Sequence, residues 1–213
     1  MNNLTELVFI IDKSGSMAGL EADTIGGINA TLEENRGVAG DANVSLVLFA
    51  DDSEVVLDRV PIEGVRPLTR RDYRVGGCTA LLDATAEAIA YHKKVQKSLP
   101  KDRRADHVVF VIITDGQENA SRRHTYAEVK KLITKATKKH GWEFLFLGAN
   151  IDAAAEAARI GIAADRASRY VSDGTGSQIA YEAVSAASRD VRTCGAPRVG
   201  WAAAPMRDAY TRG

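Results

Sequence analysis

The chain has 213 residues, and its 28 Lys and Arg are balanced by 28 Asp and Glu, so no global field draws it to nucleic acid or to an anionic membrane. A compact domain of this length buries roughly 70% of its unfolded surface, so a substantial core is available. The longest apolar runs fall far short of the roughly 20 residues of a membrane span, MNNLTEL lacks the basic and apolar regions of a signal peptide, and Cys78 and Cys194 make no disulfide framework; a cytoplasmic protein with two free thiols is expected.

Apolar runs alternate along the chain with segments of helical patterning, the signature of α and β units around a mostly parallel sheet. LVFIID (Leu7–Asp12) reads as the first strand, and a helix over Ala22–Glu34 follows with Ile25, Ile28 and Leu32 on one face. NVSLVLFA (Asn43–Ala50) is the second strand. Ser53–Ile62 follows after only two residues, too few for a parallel crossover, so this third strand pairs antiparallel. A connection over Glu63–Cys78 leads to a helix over Ala80–Leu99, then to HVVFVIITD, the fourth strand. Thr125 and Glu128 have capping-box spacing at the start of the next helix, and Gly141 stands where its C-terminus needs positive φ. WEFLFLGAN is the fifth strand, DAAAEAARIGI a short helix, ASRYVSD the sixth strand, and Gln178–Arg192 the last helix, preceded by an ordinary loop, SDGTGS, with a serine N-cap. Residues 1–193 thus form one domain, and 194–213, aperiodic and with two prolines, read as an extended or loosely attached tail with Trp201 as a candidate anchor.

The first strand runs straight into DKSGS, which sets three oxygen-bearing side chains, Asp12, Ser14 and Ser16, on alternate positions. Ligands in open α/β sheets sit beyond the carboxyl ends of the strands, where the strand order reverses. If strands one and four are neighbours, Asp12 and Asp115 of TDGQEN converge there. The helix that crosses over into strand four must begin at the same edge, and its first turn, GGCTALLD, delivers Thr79. Asp12, Ser14, Ser16, Thr79 and Asp115 are all hard oxygen donors, which favour Mg²⁺, Mn²⁺ or Ca²⁺ over Zn²⁺. Two carboxylates at most neutralise such an ion, so it stays electrophilic and seeks an outside anion.

These residues carry a resemblance. DKSGS matches the DxSxS signature of the von Willebrand factor A domain family, GGCTAL resembles its threonine loop and ITDG its distal aspartate. The likeness spans about Leu4–Arg192, and short members of this kind resemble stand-alone bacterial or phage proteins. It implies a Rossmann-like, doubly wound six-stranded sheet of order 3-2-1-4-5-6, a metal-ion-dependent adhesion site with Mg²⁺ as the usual ion, and an Asp or Glu of a protein partner as the last ligand. Cys78 departs from the family, which more often has Gly or Ser there.

The function expected is therefore divalent-cation-dependent binding of a protein partner, not catalysis. The alternatives are a metal-assisted hydrolase with Glu118 or Asp51 as base, and a metal-independent scaffold. Ser14 and Ser16 have no histidine positioned by sequence to activate them: His92, His107, His124 and His140 read as surface residues. Arg122, Arg123, Lys130, Lys131, Lys135, Lys138 and Lys139 read as a solvated helix face rather than a nucleic-acid site, since Val129, Leu132, Ile133 and Ala136 supply a buried side and no aromatic interleaves the charges.

Overall fold

The computed structural model describes residues 3–212. Its sheet has six strands: β1 (Leu4–Asp12), β2 (Asp41–Phe49), β3 (Ser53–Pro61), β4 (His107–Thr114), β5 (Glu143–Ala149) and β6 (Ala167–Tyr170). Their order is β3-β2-β1-β4-β5-β6, and only β3 runs antiparallel, as the short connection from β2, residues 50–52, requires. Six α-helices are present among the described residues: α1 (Glu21–Arg36), α2 (Leu81–Ser98), α3 (Tyr126–His140), α4 (Ala153–Ile160), α5 (Gly174–Cys194) and α6 (Ala203–Arg212).

The central strands are apolar at nearly every position because both faces are covered. Leu7, Phe9 and Ile11 of β1 join Val109, Val111 and Ile113 of β4 under α1 and α5. The alternate residues Val8, Ile10, Val108, Phe110 and Ile112 face the opposite layer, formed by α2, α3 and α4, where Phe110 stacks on Phe144 with 4.8 Å between centroids. Thr125 and Glu128 form the expected capping box, and Gly141 is left-handed at φ 65°.

Three expectations fail for identifiable reasons. His92 is not on the surface: it is 1% exposed and meets Phe110 edge-on, because α2 turns this position inward, and burial pulls its pKa down to about 4. The last helix begins at Gly174, not Gln178, and its N-cap is Asp173, which accepts from the Gly176 amide at 2.7 Å. Glycines there look like loop, but a Cβ on Gly176 would lie 2.1 Å from the Val171 carbonyl oxygen, so only glycine allows the approach. The C-terminal segment is a helix, not an extended tail. Pro205 falls in the first turn of α6, where a missing N–H costs nothing. Trp201 is buried and its Nε1 donates to the Asp165 carbonyl at 2.9 Å, docking α6 beside β6 and α5.

Candidate metal centre

In the parallel register Ile11 pairs with Ile113, so the next residues, Asp12 and Thr114, end β1 and β4 side by side. The Thr114 hydroxyl donates to Asp12 Oδ2 at 2.6 Å, and the Ser14 amide donates to Asp12 Oδ1 at 2.7 Å. The chain then turns through Gly15–Met17, a single 3₁₀ turn, which brings Ser14 Oγ within 2.9 Å of Ser16 Oγ. A Cβ built on Gly116 would lie 3.1 Å from Ser16 Oγ and 3.2 Å from Thr79 Oγ1. The three predicted hydroxyls and the loop after Asp115 therefore meet at one point.

Asp12, Ser14, Thr79 and Asp115 are at most 3% exposed, while Ser16 opens to solvent. Burial pushes the Asp12 carboxyl above its usual range, and the nearby Asp115 adds to the rise, against hydrogen bonds from Ser14 and Thr114. Burial likewise raises Asp115, although the Ser16 and Ser172 hydroxyls work in the opposite sense. Asp115 Oδ1 is buried with no hydrogen-bond partner among the described residues. Two desolvated carboxylates that repel one another, one with an orphaned oxygen, call for a positive charge. Among the described residues no group of three or more His, Cys, Asp or Glu is arranged to hold a metal, so an ion here must rely on hydroxyl oxygens as well. That donor set is hard and suits Mg²⁺, Mn²⁺ or Ca²⁺.

A surrounding network holds the loops in place, and most of it escapes sequence reading. Asn119 accepts from the Thr79 amide at 2.8 Å and returns its own amide to the Thr79 carbonyl at 3.0 Å. The buried Tyr73 hydroxyl donates to the Asp12 carbonyl at 2.5 Å. Gly15 and Gly76 amides donate to the Gly77 and Lys13 carbonyls, tying the DKSGS and GGCTAL loops together. Thr114 and Asn119 were visible only as neighbours of Asp115 in ITDGQEN; Tyr73 lay in a connection with no signal. Asp83, in the first turn of α2, accepts from the amides of Arg122, Arg123 and His124 and so clamps the far end of the Asp115 loop.

Both suggested bases accept hydrogen bonds from the surrounding loops. Glu118 accepts from the amides of Leu82, Ala120 and Ser121 and from the Ser121 hydroxyl. Asp51 accepts from the Cys78 amide and would lie 2.2 Å from a Cβ on Gly77, so this carboxylate packs against the threonine loop. Cys78 and Cys194 are both free and exposed.

The family model of the von Willebrand factor type A domain matches residues 6–182. No curated protein matches the chain. Similar solved structures include proximal thread matrix protein 1 from the mussel byssus, with 18% identity and a TM-score of 0.56 over 85% of this chain and 45% of that one. A further crystal of the mussel protein has zinc in its metal-ion-dependent adhesion site motif, at 17% identity and a TM-score of 0.56 over 85% and 44% of the two chains. A von Willebrand factor type A protein from Catenulispora acidiphila gives 17% identity and a TM-score of 0.56 over 87% of this chain and 42% of its own. The chain thus spans less than half the length of these proteins, and the likeness is one of fold. Among the described residues no helix is long and apolar enough to cross a membrane.

Proposed function

The chain belongs to the von Willebrand factor type A domain family, and from that premise we propose that it is a divalent-cation-dependent binding module for a protein partner. Ser14, Ser16 and Thr79 would hold the ion by their hydroxyls, with Asp12 and Asp115 binding directly or through water. When bound, a divalent ion such as Mg²⁺ supplies an electrophilic position that a carboxylate of the partner completes. The observation that carries this reading is the convergence of Ser16 Oγ and Thr79 Oγ1 on the space above Gly116, beside the orphaned Oδ1 of Asp115. Binding rather than catalysis is favoured because the carboxylate of Glu118 is saturated by four donors, which leaves it poorly placed as a base.

The protein's own residues do three things here. Thr114 and the Ser14 amide orient Asp12 as an acceptor, Asn119 fixes the Thr79 backbone so that its hydroxyl is aimed before any ligand arrives, and burial strips water from four of the five donors. Affinity capture on the immobilised domain, run with Mg²⁺ and with EDTA and repeated on Thr79→Ala, tests the proposal. A partner retained only by wild type with metal is expected, and changing one of its Asp or Glu residues to the amide costs about 2–5 kcal/mol. A principal partner that binds equally in EDTA overturns the reading.

A further inference from the structure

Nine of the ten lysines lie between positions 93 and 139, although the chain as a whole is neutral. Eight of them are on two packed helices: Lys93, Lys94 and Lys97 on α2, and Lys130, Lys131, Lys135, Lys138 and Lys139 on α3. All eight are exposed. The one lysine ion pair among the described residues is Lys13 with Glu54, so none of the eight is neutralised. From Tyr91 to the end of α2, and from Val129 to the end of α3, there is no carboxylate; Glu87 is paired with Arg123 and Glu128 is consumed in the capping box.

The two sets form one surface. α2 starts next to Thr79 at the carboxyl edge of the sheet and leads into β4, and α3 joins the parallel strands β4 and β5, so both run against the direction of β4 and end at the opposite edge of the sheet from Asp12 and Asp115. α2 and α3 pack against one another, and at the end of α3 the His140 pKa is lowered by burial first, then by the charges of Lys139, of Lys93 on α2 and of Lys135. Along α3, Lys131, Lys135 and Lys139 repeat every four residues, about 6 Å of helix rise apart. Like charges at this spacing destabilise a helix. The helix dipole offsets that cost for Lys97, Lys138 and Lys139 in the last turns. It does nothing for Lys93, Lys94, Lys130, Lys131 and Lys135.

We propose that the α2–α3 lysine surface, which runs along the two helices toward the end of the domain opposite the metal centre, binds the phosphodiester backbone of a nucleic-acid duplex. The surface lacks what other polyanion partners would use. Among the described residues the exposed large apolar side chains are Val55, Tyr91, Val199, Met206 and Tyr210, and the only one on either helix, Tyr91, is turned toward β3 with its hydroxyl on Asp58. A membrane-inserting face needs an apolar side, and a protein interface needs an apolar or aromatic anchor at its centre; neither is present here. Single-strand binding needs aromatic stacking, also absent. Unpaired lysines without base-reading side chains suit sequence-independent phosphate contact.

The test is fluorescence anisotropy of a labelled 20-base-pair DNA duplex and of the matching RNA duplex between 50 and 200 mM NaCl, in EDTA so that the metal centre plays no part. Binding to either duplex with an affinity loss of about 10³-fold across that range is expected, and the tighter of the two names the source. Replacing Lys131, Lys135 and Lys139 together by Gln should reduce the log–log salt slope by about 2.7. The equally charged control, Arg70→Gln with Arg71→Gln and Arg74→Gln, should leave it unchanged, with circular dichroism verifying both folds. No duplex binding at 50 mM salt, or equal slopes for the two triple variants, overturns the proposal. So does binding confined to poly-glutamate or to phosphatidylserine vesicles, which would assign the surface to an acidic protein or a membrane.

Discussion

Replacing Asp83 by Ala should loosen the Asp115 loop from the far end, without touching any proposed ligand. The carboxylate is buried and accepts from the amides of Arg122 at 2.9 Å, Arg123 at 3.1 Å and His124 at 2.8 Å, with the His124 ring at 3.1 Å. A hydrogen bond to a charged group contributes about 1.5–3 kcal/mol. Water can reach Arg122 and Arg123, which are exposed, but only partly His124, so the net loss is set at about 3 kcal/mol rather than the sum. For a chain of this size that lowers the melting temperature by about 6–12 °C. The sign with pH follows from the folded state. Burial raises the Asp83 pKa, but the hydrogen bonds from Arg122, His124 and Arg123 outweigh it, leaving the group below its ordinary value. A depressed carboxylate contributes stability that is present above the unfolded pKa, near 4, and is lost as pH falls through the folded value. Calorimetric melts of wild type, Asp83→Ala and Asp83→Asn from pH 7 down to pH 3 read both effects: the gap between wild type and Asp83→Asn should be full at pH 7 and shrink below about pH 4. A drop of less than about 1 kcal/mol at pH 7 would show that the clamp is not what holds the loop.

Free Mg²⁺ at 100 times its dissociation constant should stabilise the fold by about 2.7 kcal/mol, and Asp12→Ala or Asp115→Ala should abolish the shift in a thermal melt; equal shifts in all three proteins would refute the ligand assignment. Gly116→Ala places a methyl 3.1 Å from Ser16 Oγ and 3.2 Å from Thr79 Oγ1, forcing both hydroxyls aside; titration calorimetry should find metal affinity about tenfold weaker, while the melt in EDTA moves by less than about 1 kcal/mol. Trp201→Ala removes a buried ring and its bond to Asp165 and should cost about 3 kcal/mol. Limited proteolysis should then cleave near α6 while the metal response is retained, and unchanged resistance would mean that α6 does not depend on this anchor.

The pattern of the sequence determined the architecture because the physics involved is local or periodic. Two-sided burial makes LVFII, VVFVII and FLFL continuous apolar runs, the short link between β2 and β3 allows only an antiparallel pair, and Thr125, Glu128 and Gly141 mark helix ends by their own hydrogen bonds and φ. The candidate ligands were legible for the same reason: oxygen side chains at fixed offsets after a strand have few other uses when topology brings their loops together. Side chains whose role is set by distant partners stayed hidden. Asn119 acquires its role from the Thr79 backbone 40 residues away, Tyr73 from the Asp12 carbonyl 61 away, and Asp83 from three amides about 40 away. His92 looked like a polar helix residue until the α2 face met Phe110. The C-terminal segment has too little periodicity to announce a helix, and it forms one because Trp201 finds the Asp165 carbonyl and α6 finds the flank of β6. The lysines of α2 and α3 are separated in sequence by a whole strand, β4. Only the crossover geometry, which sends both helices back toward the same edge of the sheet, joins them into one charged surface.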